Sequence, residues 1–234
     1  MKIGILSDIH GNDVALKCVL KEIHKLNIEK LLLLGDYVGY YYNAHKVLDL
    51  LQTCSTEMIK GNHELLLEQS AGNRKKLATI REKYGSGIEV ALDLLPTEQI
   101  EHLANLPEKK ELILDGVKIL LCHGAPWNIW EYIYPDTADE IKNKCLASEA
   151  DFVFIGHSHY SFIYEHNNKV LMNVGSVGQN RKAGGIANWG FIDTSNNIFV
   201  IKETLYDVKP LIKQVKYQDP ENKYLVNVLY RKVK

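Results

Sequence analysis

Five apolar runs in this chain stop at an aspartate, asparagine or histidine, usually with a glycine alongside. "KIGIL" (2–6) leads into SDIHGN, and "KLLLLGD" (30–36) ends in its own Gly-Asp. "TEMIKGNHE" (56–64), "KELILDGVKILLCHG" (110–124) and "DFVFIG" followed by HSHY end the same way. Short runs rich in Ile, Leu and Val, bounded by turn residues, read as buried strands. Such a chain must therefore build sheets whose strands are buried along their length and polar at one end.

The segments between these runs read as helices. "DVALKCVLKEIHKL" (13–26) carries Val14, Cys18, Leu20, Ile23 and Leu26 near helical spacing, with Asn12 in the N-cap position. "AHKVLDLLQ" (44–52) reads the same way. The resulting β-α-β-α-β opening predicts a parallel sheet with helices on its faces. Residues 64–106 read as mainly helical, broken at 71–73 and 84–87, with Thr97 capping a last helix over 96–107. Beyond them, 110–124 predicts a hairpin turning at Asp115-Gly116. A helix is expected at about 137–148, with strands at 169–178 and 190–205. The last 25 or so residues are polar and carry no clear pattern, and there is no internal repeat or linker. The 234 residues are read as one domain, with the helical segment 64–106 overhanging a cleft.

Bulk properties narrow the classes. A net charge of −1 offers no global field for nucleic acid or an anionic membrane, so an anionic ligand has to be held locally. No apolar stretch approaches the roughly 20 residues of a membrane span, and the expectation is a cytoplasmic protein. Cys18, Cys54, Cys122 and Cys145 are far apart and form no C-x-x-C pair, which suits reduced thiols, with Cys18 and Cys122 as small core residues.

The strand ends carry the chemistry: Asp8 and His10, Asp36, Asn62 and His63, His123, and His157 and His159. In open α/β sheets, ligands bind outside the carboxyl ends of the strands. A fold that gathers these ends gathers two Asp, five His and one Asn in one place. Imidazole and carboxylate without thiolate suit Mn, Fe, Zn or Ni, with Mn the first expectation. The donors are too many for one ion. They suit two, roughly 3.5–4 Å apart, sharing a carboxylate, a pair that clamps a phosphoryl group and activates water for in-line attack.

The ordered set D-x-H, G-D, G-N-H-E, H-G and G-H-x-H resembles the calcineurin-like metallophosphoesterase superfamily. "MNVGSVGQNR" (172–181) is similar to a segment of its small bacterial and archaeal phosphodiesterase branch, which includes members assigned as diadenosine tetraphosphate hydrolases. The resemblance implies a four-layer αββα sandwich, two mixed β-sheets flanked by helices. It implies that Asp8, His10 and His159 hold the first metal, that Asn62, His123 and His157 hold the second, and that Asp36 bridges them. His63 would stand near the leaving-group oxygen as general acid. Asn12 and Arg181 are expected to touch the substrate, a small phosphorylated molecule such as a nucleotide. The implied activity is hydrolysis of a phosphodiester or phosphoanhydride by two divalent metal ions. Within the strand-like 157–159 stretch, side chains two apart point the same way, so both histidines face the cluster while Ser158 turns away.

Some residues depart from the pattern. Tyr40, Tyr41 and Tyr42 stand where the branch often has Gly-Pro, and either stack on a base at the cleft edge or pack on a helix. Trp127 and Trp130 either line a pocket or pack under a loop. Protein Ser/Thr phosphatases of the superfamily follow the bridging Asp with G-D-x-V-D-R-G. Gly39 and Tyr40 fill the Asp and Arg places here, which counts against that class, although Arg181 or Arg74 could supply a cation. His24, His45, His102 and His166 read as surface residues. The alternatives to a phosphodiesterase are a phosphomonoesterase or protein phosphatase, and a non-catalytic assembly scaffold. The retained His63 and all seven ligand positions speak against the scaffold.

Overall fold

Strict alternation of side chains along the strands sorts the core into layers. In a strand successive side chains point to opposite faces. Ile3 and Ile5 of β1 (Lys2–Leu6) lie in one apolar cluster while Leu6 lies in another. The computed structural model describes residues 1–232.

The opening is as the pattern predicts. After β1 come α1 (Asp13–Lys25), β2 (Lys30–Leu33), α2 (Ala44–Gln52) and β3 (Thr56–Met58). β1 pairs in parallel with β2, and β2 with β3. Four helices follow: α3 (Asn62–Ser70), α4 (Arg74–Tyr84), α5 (Gly87–Leu94) and α6 (Thr97–Asn105). The second half contains β4 (Lys109–Leu114), β5 (Val117–Cys122), α7 (Asp139–Cys145), β6 (Phe152–Ile155), β7 (Phe162–His166) and β8 (Lys169–Asn173). It closes with β9 (Ile186–Asp193), β10 (Ile198–Leu205), α8 (Lys209–Gln218) and α9 (Lys223–Asn227).

The strands form two mixed five-stranded sheets, ordered β10-β9-β1-β2-β3 and β4-β5-β6-β8-β7. Ile3, Ile5, Leu32 and Leu34 from the first meet Ile119, Leu121, Phe154 and Met172 from the second in one buried cluster. The outward residues of the first sheet, Leu6, Leu31 and Leu33, pack under Leu16, Val19 and Ile23 of α1 and Val47 and Leu51 of α2. Those of the second, Leu120, Cys122, Val153, Ile155 and Leu171, pack with Cys145 and Leu146 at the end of α7. The result is the expected four-layer α/β sandwich. β1 and β2 run parallel in one sheet and β5, β6 and β8 in the other, and the residues after their carboxyl ends meet at one edge, Asp8 beside His159 and Asp36 beside His123.

Several local expectations need correction. The buried stripe of α1 is Ala15, Leu16, Val19 and Ile23, and Cys18 is only half-buried. β3 stops at Met58, and Asn62 and His63 open α3 instead of lying in a loop, because Glu64 completes half of a capping box by accepting the Gly61 N–H. Thr97 is the first helical residue after Pro96, not the cap. Residues 190–205 belong to a hairpin of β9 and β10. β7 was unforeseen; it turns into β8 at Asn167-Asn168, whose positive φ values (51° and 59°) match those expected and found at Asp115-Gly116 (51° and 80°). The C-terminal segment holds α8 and α9, which bury Tyr40, Tyr41 and Tyr42 against Leu211, Val215 and Leu225. The three tyrosines therefore pack inside the protein. No helix among the described residues is long and apolar enough to cross a membrane.

The inter-sheet layer makes a direct test. Phe154→Ala should lower unfolding free energy by about 3–5 kcal/mol in urea titrations, whereas trimming the exposed Ile113 to Ala should change it by less than about 0.5 kcal/mol.

Candidate metal centre

Tight bends bring the polar strand ends together. Asp8, His10, Asp36, His157 and His159 all have φ between 50° and 61°, the left-handed region that side chains with a Cβ avoid. Each such residue costs about 1–2 kcal/mol, so the surroundings must hold it there. The parallel pairing of β1 and β2 continues past both strands to do so: Asp8 N–H donates to Gly35 O (3.1 Å) and His10 N–H to Asp36 O (2.8 Å). His157 and His159 thus reach the cluster by two left-handed turns, not by the strand alternation expected of them. Ser158 does turn away between them, its Oγ accepting from Asn173 Nδ2 (2.9 Å).

Four imidazoles are tethered in the same manner. One ring nitrogen of each meets a backbone carbonyl: His10 Nδ1 at Val38 O (3.0 Å), His123 Nδ1 at Leu34 O (2.7 Å), His159 Nδ1 at Gln179 O (2.6 Å) and His157 Nε2 at Trp130 O (3.2 Å). A carbonyl only accepts, so the tethered nitrogen carries the hydrogen and the other keeps a lone pair. Such outer contacts orient metal-ligating histidines. The carboxylates divide likewise. Asp8 Oδ2 accepts from His157 N–H (3.0 Å) and Asp36 Oδ1 from His63 N–H (2.8 Å). Their other oxygens face the cluster.

Acceptors consequently point at acceptors. His10 Nε2 and His159 Nε2 are 3.1 Å apart, and Asp8 Oδ1 lies 3.2 Å from His159 Nε2. Asp36 Oδ2 lies 3.6 Å from His10 Nε2 and 3.3 Å from His123 Nε2, and Asn62 Oδ1 is 2.9 Å from His123 Nε2. Asp8 Oδ1 is buried with no hydrogen-bond partner among the described residues. Lone pairs packed this closely call for cations between them. Asp8, His10 and His159 form one group of suitable ligand atoms, Asp36, His123 and His157 a second, and His10, Asp36 and His63 a third. The donor set fits divalent metal, and Asp36 is the carboxylate common to two groups.

Where no cation lies between these lone pairs, protons take its place. Burial pushes Asp8 and Asp36 up, but the His159 and His123 rings outweigh it and hold both carboxyls well below the usual range. Burial pulls His157 down to about 3 and His63 to about 4. His123 goes the other way: against burial, the Asp36 and Asp8 charges raise it to about 9. His63 differs from the other rings in another respect. Its Nδ1 is buried, lies against Gly39, and has no hydrogen-bond partner among the described residues.

The sequence reading missed the role of Glu64. Its buried carboxylate accepts backbone N–H groups of Asp36 and Gly61 on Oε2 (both 2.8 Å) and of Tyr37 and Val38 on Oε1 (2.8 and 3.3 Å). Burial and the Asp36 charge push its pKa up to about 7, while the backbone donors favour the ionised form. The Gly-x-x-Glu spacing ahead of α3 was the available signal. Gly61 is equally constrained, since a Cβ there would meet Asp36 Oδ1 at 2.2 Å.

The remaining candidates fall out unevenly. Asn12, expected at the substrate, is wholly buried with both ends of its amide engaged: Oδ1 caps α1 at Ala15 N–H (3.0 Å) and Nδ2 donates to Gly178 O (2.8 Å). It serves the scaffold. Arg181 lies at the cluster. Its Nη2 is 3.4 Å from Tyr40 OH, its Nε is buried without a partner, and among the described residues no carboxylate pairs with it. Burial opposes its charge, yet a guanidinium stays protonated in proteins, and the neighbouring Tyr40, Tyr224 and Tyr132 shift its pKa up, not down. Tyr40 packs edge-on to His10 at 4.6 Å. Trp127 is half-exposed beneath the Lys144 ammonium, and Trp130 contributes its carbonyl to His157. His24, His102 and His166 are exposed, as expected, and His45 is half-buried.

Residues 1–197 match the calcineurin-like phosphoesterase superfamily domain. An uncharacterized protein of Methanocaldococcus jannaschii is 30% identical over 232 residues, 91% of each chain. In fold the chain is similar to a hypothetical protein of Pyrococcus horikoshii, with a TM-score of 0.85 at 21% identity. It is also similar to a metallophosphoesterase of Sphaerobacter thermophilus, with a TM-score of 0.78 at 22% identity; both likenesses cover 98% of each chain.

Glu64→Gln keeps the shape but turns an amide donor toward two backbone N–H groups. It should cost about 2–4 kcal/mol in urea unfolding and weaken Mn²⁺ binding measured by calorimetry, because the Asp36 bend loses its support.

Proposed function

This chain belongs to the calcineurin-like phosphoesterase superfamily, a metal-dependent family of phosphoester hydrolases, and from that premise we propose that it is a two-metal hydrolase of phosphodiesters or nucleotide phosphoanhydrides. Asp8, His10 and His159 would hold one ion, Asn62, His123 and His157 the other, and Asp36 both. The observation that carries this reading is the convergence of tethered imidazoles and half-free carboxylates on shared points, acceptor against acceptor. Two divalent ions in such a cradle supply Lewis acidity toward phosphoryl oxygens and a lowered pKa for water. Nitrogen and oxygen donors without thiolate fit Mn, with Fe, Zn and Ni also suited.

The chain's own residues do the rest. Arg181, cationic and without a carboxylate partner among the described residues, is suited to grip a non-bridging phosphoryl oxygen. His63 is held by the first turn of α3 with its backbone N–H on Asp36, and its ring is free of the carbonyl tether that marks the four ligand histidines. We assign it the relay of a proton to the leaving-group oxygen as the phosphorus–oxygen bond breaks; with its pKa pulled to about 4 the free ring is neutral, so the proton it passes on is the one released by the attacking water. Tyr40 and Tyr84 pack around His63 at 5.1 and 5.0 Å and limit water there. Tyr84 comes from the helical segment 64–106, which supports its role as the overhang of the cleft. One arginine facing the cluster suits a singly charged diester better than a dianionic monoester.

The test is turnover of bis(p-nitrophenyl) phosphate beside p-nitrophenyl phosphate, on chelator-stripped protein with and without Mn²⁺. Mn²⁺-dependent turnover favouring the diester is expected; a preference for the monoester would move the reading to a phosphomonoesterase. His63→Ala should lower kcat about 10²–10⁴-fold with metal content unchanged by elemental analysis. Asp36→Ala should lose bound metal as well as activity.

A further inference from the structure

Two partly exposed tyrosine rings flank the candidate centre, and neither offers it a ligand atom. Tyr132 is 43% exposed, and its ring lies on His157 with centroids 4.0 Å apart and planes 23° from parallel. The aromatic strip continues outward to Tyr134, nearly parallel at 5.7 Å, and then to Tyr160. At the other end of the cluster, Tyr224 is 41% exposed and lies 6.4 Å from Tyr40, which packs against His10 and His63. Arg181 sits among Tyr40, Tyr132 and Tyr224. A cation thus lies between two partly exposed aromatic rings. The Trp130 carbonyl and the Tyr132 ring both bear on His157, and 43% of Tyr132 remains exposed beyond those contacts.

We infer that Tyr132 and Tyr224 read the two ester arms of the substrate, each stacking on a planar group, so that the substrate is a phosphodiester with an aromatic substituent on either side of phosphorus. Aromatic rings take flat partners of many kinds through their π faces. His63 lies on the Tyr40 and Tyr84 side of the cluster, which puts the leaving arm toward Tyr224 and the retained arm toward Tyr132. Tyr224 lies past residue 197, beyond the matched family domain, and reaches the site because α8 and α9 pack on Tyr40, Tyr41 and Tyr42. The inference rests on the phosphodiesterase reading above.

Steady-state kinetics of the Mn²⁺-loaded full chain on two esters test it. Bis(p-nitrophenyl) phosphate and methyl p-nitrophenyl phosphate share a leaving group and differ in the retained arm. Tyr132→Ala should raise KM about tenfold on the first and less than twofold on the second, with kcat nearly constant, as loss of uniform binding requires. Tyr224→Ala should raise KM about tenfold on both. Tyr132→Phe and Tyr224→Phe keep the stacking ring and should recover most of the affinity lost in the alanine variants, while Tyr132→Leu should resemble the alanine variant. A Tyr132→Ala effect equal on both esters, or absent from both, overturns the inference while the phosphodiesterase reading stands, as does an unchanged KM in Tyr224→Ala. Wild-type protein silent on both esters with metal bound overturns that reading and this inference with it.

Discussion

Seven side chains with bare nitrogen or oxygen lone pairs are buried together, each 3% exposed or less. Acceptors do not gather in a low-dielectric interior unless something holds them there. The holding is done almost entirely by backbone. Carbonyls fix four imidazole rings from behind, backbone N–H groups fix one oxygen of each aspartate, and the opposite edge of every group is left to face the centre. The left-handed bends at the strand ends follow from the same demand, because a regular strand would carry the next side chain away from the shared point.

Glu64 shows how far this demand reaches. It binds nothing in the centre, yet its carboxylate gathers N–H groups from the loop after β2 and from the start of α3. It therefore sets the distance between Asp36 and the Asn62–His63 pair. Gly61 makes that approach sterically feasible, and Asn173 does similar work for the 156–158 loop through Gly156 O and Ser158 Oγ. Rigid supports of this kind are what a metal site needs, since small displacements of ligands cost affinity.

The surroundings of the centre come from parts of the chain far from the ligands in sequence. Tyr84 arrives at the end of α4, Tyr132 in the loop before α7, Arg181 after β8, and Tyr224 on α9. Asp219 fastens this assembly, accepting from Tyr42 OH, Ser86 N–H and Ser86 Oγ at 2.9 Å each. The C-terminal helices thereby tie the tyrosine loop to the segment between α4 and α5, and the mouth of the cleft depends on a segment with no readable pattern of its own.

The sequence by itself determined the layers and the residues that meet at their edge. Short continuous apolar runs bounded by turn residues read as buried strands, and a polar residue at the end of each run stays there whatever the loops do. That Asp8, His10, Asp36, Asn62, His123, His157 and His159 would gather in one place was legible for that reason. The tertiary structure alone decided the rest. Which residue of a loop faces inward depends on φ, so the reasons given for His157 and His159 had to change while the residues did not. Asn12 turned out to be engaged on both sides by partners 3 and 166 residues away. Arg181 and Tyr224 meet the centre through packing between elements that share no local pattern, and contacts of that kind arise only when two sheets and their covering helices close on one another.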